Sequence, residues 1–170
     1  VIPFAADRYL TMHSIAITSV CSEDQSGFLI QAGGINVVFG STDFSSGTAL
    51  RRELMSKGVK RIDLYIQPDG KRRTGQVAED FADIFEIKYF ALNEEAINTQ
   101  SYPHELKEQQ LVLTKDADFT YPGGTKIKIA GEESPILKIY YQGELFVVTL
   151  DLKDVLPALK KDSAKLVAAA

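Results

Sequence analysis

Short apolar blocks, interrupted by glycine and polar turns, run through the first forty positions of the chain. His13 to Val20 and Gly27 to Gln31 read as strands, and Ala32-Gly33-Gly34 is a hairpin turn into a third strand, Ile35 to Phe39. The period then changes. A Gly/Ser-rich loop, Ser41 to Gly47, leads into Thr48 to Lys57, where Leu50 and Leu54 share one face and Gly58 supplies a C-cap. This spacing predicts a helix of about ten residues. Val59 to Ile66 returns to strand. Beyond Thr74, Val77, Phe81, Ile84 and Phe85 recur at helical spacing and predict a helix over Gln76 to Phe85 laid on the sheet, followed by a strand from Ile87 to Leu92. Asn93 to Lys107 is polar, carries Tyr102-Pro103, and reads as a short helix and a loop. Four more strands follow, Gln110 to Thr114, Thr125 to Ala130, Ile136 to Tyr141 and Leu145 to Leu150, the last two forming a hairpin around Gln142-Gly143-Glu144. Val155, Leu156, Leu159 and Leu166 then predict a terminal helix beginning near Val155, with Pro157 in its first turn. The alternation of strands and helices is that of an α/β (α+β) fold.

At 170 residues and 45% hydrophobic content, the chain can bury one core, so residues 1–170 are expected to form a single domain. The formal charge of −4 conceals an asymmetry: from Arg51 to Arg73 eight Lys or Arg face only three acids, Glu53, Asp63 and Asp69. No apolar run of about twenty residues is present to cross a bilayer as a helix. Val1-Ile2-Pro3-Phe4 is not the basic start of a signal peptide, and the missing initial Met fits a piece cut from a longer protein.

Most chemistry-bearing residues have ordinary structural readings. Of the two histidines, His13 starts a strand and His104 follows Pro103 in a polar stretch, and neither has a partner at metal-ligand spacing. The single cysteine, Cys21, excludes an internal disulfide and a Cys-rich zinc site. Ser41, Ser45 and Ser46 lie in a loop and lack a Gly-x-Ser-x-Gly elbow. Gly33-Gly34 and Gly123-Gly124 are turn glycines without a phosphate-loop signature. Glu94-Glu95, Glu132-Glu133 and the Asp116/Asp118 pair sit in polar turns, where solvated charge is the expected state.

One stretch stands apart. Asp63 to Gly75 has the framing of a metal-hydrolase loop, with basic and amide side chains where ligands belong. Upstream of it lie Gly27-Phe28-Leu29-Ile30-Gln31, Gly33-Gly34-Ile35-Asn36-Val37-Val38-Phe39 and Leu50-Arg51-Arg52-Glu53-Leu54 through Ser56-Lys57-Gly58-Val59-Lys60-Arg61-Ile62-Asp63. This order resembles the metallo-β-lactamase fold, most closely the soluble β-lactamase-like domain of ComEC-type competence proteins, which act in DNA uptake. The resemblance covers roughly residues 13 to 92 and resumes more weakly at Pro135 to Tyr141 and Glu144 to Asp151. It implies a metallo-β-lactamase-like β-sandwich flanked by helices. The version here is shortened at the C-terminus, because no further strands leading to a final ligand histidine follow Asp151.

The departures from the family pattern shape the functional expectation. Its His-x-His-x-Asp-His loop supplies neutral nitrogens and anionic oxygens to one or two metals. Matching on Pro68-Asp69 places Gln67, Asp69, Lys71 and Arg72 at ligand positions, and a protonated Lys or Arg has no lone pair to offer. Gly40 stands where the family's Asp-Thr-Gly aspartate falls, and Glu23-Asp24-Gln25-Ser26 replaces the Gly-Gln-Gly-Asp turn. Asp151 matches the late bridging aspartate. The expectation is therefore an inactive domain without metal or small-molecule cofactor, tethered by resemblance to the outer side of the bacterial cytoplasmic membrane. Its partners would be the DNA backbone or other domains of a parent membrane channel. Arg51, Arg52, Lys71, Arg72 and Arg73 are candidate phosphate contacts; the reading that comes first is plainer, with Arg51, Arg52, Lys57 and Lys60 as the solvated face of a helix and its exit and the basic triplet as a soluble loop. Two other functions stay open: an assembly domain unrelated to DNA, and a metal-dependent phosphodiesterase using Asp69 and Asp151.

Overall fold

The computed structural model describes residues 14–21, 26–131, 135–150 and 165–168. The apolar blocks of the first forty residues form three antiparallel strands, β1 (Ile15–Cys21), β2 (Ser26–Ala32) and β3 (Ile35–Phe39). Helix α1 (Phe44–Ser56) leads to β4 (Arg61–Ile66), and helix α2 (Arg72–Ala82) leads to β5 (Glu86–Leu92). After the short α3 (Glu94–Asn98) and a 3-10 turn comes β6 (Leu111–Leu113). These strands make one sheet in sequential order, antiparallel from β1 to β3 and parallel from β3 to β6. A second sheet is ordered β11-β10-β9-β8-β7, from β7 (Asp118–Thr120), β8 (Lys126–Ala130), β9 (Ile136–Tyr141), β10 (Glu144–Thr149) and β11 (Lys165–Ala168).

Layering explains the two kinds of strand pattern. In the first sheet Val37, Phe39, Leu64 and Ile66 face the second sheet, whereas Val38, Tyr65 and Phe90 face the helices. Both faces are covered, so these strands read as continuous apolar runs. In the second sheet Ile127 and Ile129 point into the inter-sheet core and Lys126 and Lys128 point out, which gives the alternation visible in the sequence. The architecture is the α/β sandwich flanked by helices that was expected.

Several element boundaries differ from expectation. Helix α1 begins at Phe44 rather than Thr48, because the Asp43 carboxylate accepts the Ser46 N–H at 2.8 Å and caps the helix there. Ser46 and Gly47, expected in a loop, are buried helix residues. Helix α2 begins at Arg72 rather than Gln76 and ends before Ile84, which is 48% exposed instead of part of the apolar stripe. Asp118 lies in strand β7 and pairs with Lys128, rather than in a turn. Residues 165–168, expected to be helical, form a strand that runs parallel to β10, so one strand does follow the late aspartate position. The other residues of the expected terminal helix, together with Asp151, His13 and Glu132-Glu133, lie outside the described residues. No helix among the described residues is long and apolar enough to cross a membrane.

Candidate functional site

The loop that follows β4 is held in place by its own polar side chains. Asp69 Oδ1 accepts the Lys71 backbone N–H at 3.0 Å and the Thr74 hydroxyl at 2.5 Å, and Oδ2 lies 3.7 Å from Lys71 Nζ. The Lys71 side chain gives no cap to α2. The Asp69 carboxylate thus serves the helix start, where a negative charge also meets the positive end of the macrodipole. It offsets the unfavourable placement of Arg72 and Arg73 in the first turn.

Gln67 is fully buried and acts as a clamp. Its Nε2 donates to the Asp69 and Ser101 carbonyls, both at 2.7 Å, tying the loop to a segment thirty-four residues away. Its Oε1 is buried with no hydrogen-bond partner in the structure. Thr99 Oγ1 adds a bond to the Gly70 carbonyl at 3.1 Å. Contact here is close enough to require glycine: a Cβ on Gly70 would lie 2.7 Å from the Ala96 nitrogen, and one on Gly75 would lie 2.7 Å from the Ser101 carbonyl carbon.

Between α2 and this segment runs a cleft of about 650 Å³, lined among others by Lys71, Arg72, Gln76, Glu79, Glu95 and His104. Two cations face two carboxylates there. His104, read from sequence as an ordinary surface residue, belongs to this wall, its ring 6.4 Å from that of Tyr102. No local pattern announces it, because the Thr99 to His104 wall meets α2 only through tertiary packing.

The five candidate phosphate contacts are not gathered on one surface. Arg51 pairs with Asp80 at 3.2 Å and donates to Thr48 at 3.1 Å, so it braces α1 against α2. The Arg73 guanidinium lies 5.4 Å from the centroid of the Phe44 ring, at the start of α1. Lys71 and Arg72 take the opposite flank, in the cleft, and Arg52 is exposed on α1. Helical geometry separates Arg72 from Arg73, since successive residues diverge by about 100°.

At the end of β3, Gly40 meets the side chain of Tyr65: a Cβ there would lie 2.7 Å from Tyr65 Cζ. The Tyr65 hydroxyl is buried without a partner, and burial raises its pKa. The Ser41 and Ser46 hydroxyls are buried against each other, which removes Ser46 from the exposed loop expected for it.

Metal ligation by this loop can be judged from its donors. Gln67 Oε1 and the Asp69 carboxylate carry the oxygens of the loop, the latter already accepting two hydrogen bonds at the α2 start, and Lys71 and Arg72 are cationic. Among the described residues, no three His, Cys, Asp or Glu side chains converge on a possible metal position. Two cations flanking one carboxylate are an unfavourable donor set for a transition metal.

No protein-family profile and no curated protein sequence matches the chain. Solved structures do. The chemotaxis sensor ODP from T. denticola, in its apo state, aligns at 13% identity over 82% of this chain and 64% of its own, with a TM-score of 0.54; the same sensor is also described as a peroxy diiron species, at a TM-score of 0.52 and 74% of its length. A metallo-β-lactamase of Cronobacter sakazakii with a HARLDQ motif aligns at 11% identity over 77% of this chain and 57% of its own, with a TM-score of 0.57. A mutant of that protein, with histidine in place of an arginine, a glutamine and a lysine, also has a TM-score of 0.57, at 12% identity over 86% of this chain and 69% of its own. The Bacillus subtilis protein YhfI, described as having the metallo-β-lactamase fold, aligns at 12% identity over 84% of this chain and 65% of its own, with a TM-score of 0.51. The fold is metallo-β-lactamase-like. At these identities the likeness concerns the fold, and this chain spans between 57% and 74% of the lengths of those proteins. In this chain the side chains of the loop after β4 serve helix capping and loop clamping.

Proposed function

We propose that this is a non-catalytic metallo-β-lactamase-like domain of the kind found in ComEC-type DNA-uptake proteins, working by partner contact and weak binding of DNA phosphate. The observation that carries this reading is the engagement of Asp69. The one loop carboxylate able to ligate accepts two hydrogen bonds at the start of α2, and its neighbours at ligand positions are an amide and two cations. Phosphate contact falls to Lys71 and Arg72, which are exposed at the cleft, rather than to Arg51, which is paired. Glu79 and Glu95 in the same cleft keep that contact weak.

The test is metal loading. The purified protein is incubated in turn with zinc, manganese and ferrous iron, desalted and analysed for elements, and well under one metal per chain is expected in each case. Stoichiometric retention of any of them would overturn the reading and make Asp69 and Asp151 the first residues to replace. In parallel, Lys71→Ala with Arg72→Ala should weaken binding of duplex DNA and flatten its log–log salt dependence by roughly 0.9 per lost phosphate contact.

A further inference from the structure

The outer face of the second sheet carries charge that the loop does not use. On β8 and β9 the side chains directed away from the inter-sheet core include Lys126, Lys128, Lys138 and Tyr140. Across the strand pair Lys126 stands opposite Tyr140, and Lys128 stands opposite Lys138. Directly opposed residues of antiparallel strands have Cβ atoms about 4.5–5.5 Å apart, and like charges so placed repel. Asp118 lies across from Lys128 on β7, yet among the described residues neither Lys126 nor Lys128 forms an ion pair.

The row ends in a recess. Tyr140 is 39% exposed, and with Lys126 it lines a cleft of about 410 Å³ bounded by Gly124 from one turn and by Gln142 and Gly143 from the next. A Cβ on Gly124 or Gly143 would meet nothing within 4 Å, so the two turns that bound the cleft leave open space beside it. The recess lies beside the start of β3, where the Gly33 turn contacts Thr125 and Tyr141, whereas the loop of Lys71 and Arg72 follows the far end of β4. The two surfaces are at opposite ends of the sandwich.

We propose that this face binds single-stranded nucleic acid, with Tyr140 stacking on a base and Lys126 and Lys128 contacting the flanking phosphates. An aromatic platform beside a line of cations on a sheet is what an unpaired strand requires, because its bases are free to leave one another and stack on protein. A duplex hides its base faces and would leave the ring unused. An acidic peptide would use the lysines but not the ring.

The proposal is tested by fluorescence anisotropy with a labelled oligothymidylate about twelve nucleotides long, a length within the range such sites cover. The two phosphate contacts of this face contribute about −1.4 to the log–log salt slope. Tyr140→Ala should weaken binding by between about five-fold and 150-fold with the slope unchanged. Lys126→Glu with Lys128→Glu should weaken it and remove most of this face's contribution to the slope. Lys60→Ala with Lys88→Ala, exposed cations on neither surface, should leave it as it was, and Lys71→Ala with Arg72→Ala should cost less than either variant of this face. All substituted residues of the face are exposed or half-buried, and circular dichroism checks that the variants fold. No binding by the unaltered protein, full affinity in the Tyr140 or double-lysine variant, a loss confined to the Lys71/Arg72 variant, or equal affinity for a duplex would each overturn the proposal. Binding only to phosphatidylglycerol vesicles would do the same.

Discussion

Tyr65 shows how one residue can be both well packed and poorly satisfied. Its ring stacks on Phe90 at 5.0 Å and leans on Phe81 at 5.3 Å, while its hydroxyl is buried against Gly40 with no hydrogen-bond partner. A buried, unbonded hydroxyl carries an uncompensated desolvation cost of roughly 1–3 kcal/mol. Tyr65→Phe removes that cost and keeps the ring, so at pH 7 it should leave stability unchanged or raise it by up to about 1 kcal/mol. The pH dependence follows from the direction of the pKa. Burial raises it, Asp80 raises it further and Arg51 opposes them, so the folded chain holds a proton that the unfolded chain loses near pH 10. The wild-type contribution is fully present below about pH 10 and declines as pH rises beyond it. Urea denaturation of both proteins at neutral pH and near pH 11 should show a smaller alkaline loss in Tyr65→Phe. Some loss must remain, because burial raises the pKa of Tyr121 too. Destabilisation by more than about 1 kcal/mol at pH 7 would mean that the hydroxyl has a partner after all.

At the scale of elements, α2 is defined by what presses on it. A Cβ on Gly75 would meet the Ser101 carbonyl carbon and oxygen at 2.7 Å, and backbone cannot rotate away as a side chain can. Alanine is intrinsically the better helix former by up to about 1 kcal/mol. The clash should win: Gly75→Ala is expected to destabilise by about 1–3 kcal/mol and to part the Gln67–Ser101 and Thr99–Gly70 hydrogen bonds that close the loop. Gln76→Ala, exposed one position along, should change stability by less than about 0.5 kcal/mol, and thermal melts of the pair separate overpacking from helix propensity. If both variants melt alike, the close approach is not what holds the segment. The same contacts explain what could be read from the sequence. Leu50, Leu54, Val77 and Phe81 mark the buried helix faces plainly, and the strands of the first sheet appear almost at their true limits. The helix starts do not, since Asp43 and Asp69 extend them by side-chain capping through residues that carry no apolar period. Strands β7 and β11 are short and defined by the neighbour they pair with, which a local pattern cannot express. The loop from Gln67 to Arg72 stood out by its residue types, yet its role as a capped and clamped structure depends on Ser101 and Thr99, some thirty residues away.

On the scale of the whole molecule, the inter-sheet core decides whether the two sheets behave as one unit. Phe39 is fully buried there, its ring 6.2 Å from Phe28, in a cluster that joins residues of β2, β3 and β4 to Ile127, Leu137, Ile139 and Val148 of the second sheet. On its other face the first sheet holds Leu50, Leu54, Val77 and Phe81 of the helices. Every layer therefore depends on strands β2 to β5. Truncating Phe39 to Ala should cost about 3–5 kcal/mol, through lost burial and the cavity left behind. If the sheets share one fate, this cost must appear in every signal together. The chain has no tryptophan but seven tyrosines, among them Tyr65 on the helix side and Tyr121 and Tyr141 in the inter-sheet core, so near-ultraviolet signals sample both layers. We expect far- and near-ultraviolet circular dichroism to give one coincident transition in the unaltered protein and one coincident, lower transition in Phe39→Ala. Two separated transitions, with the substitution shifting only one, would instead mean that the second sheet folds as a unit of its own. The nucleic-acid face proposed on β8 and β9 would then have to be assayed apart from the loop at the far end of the sandwich.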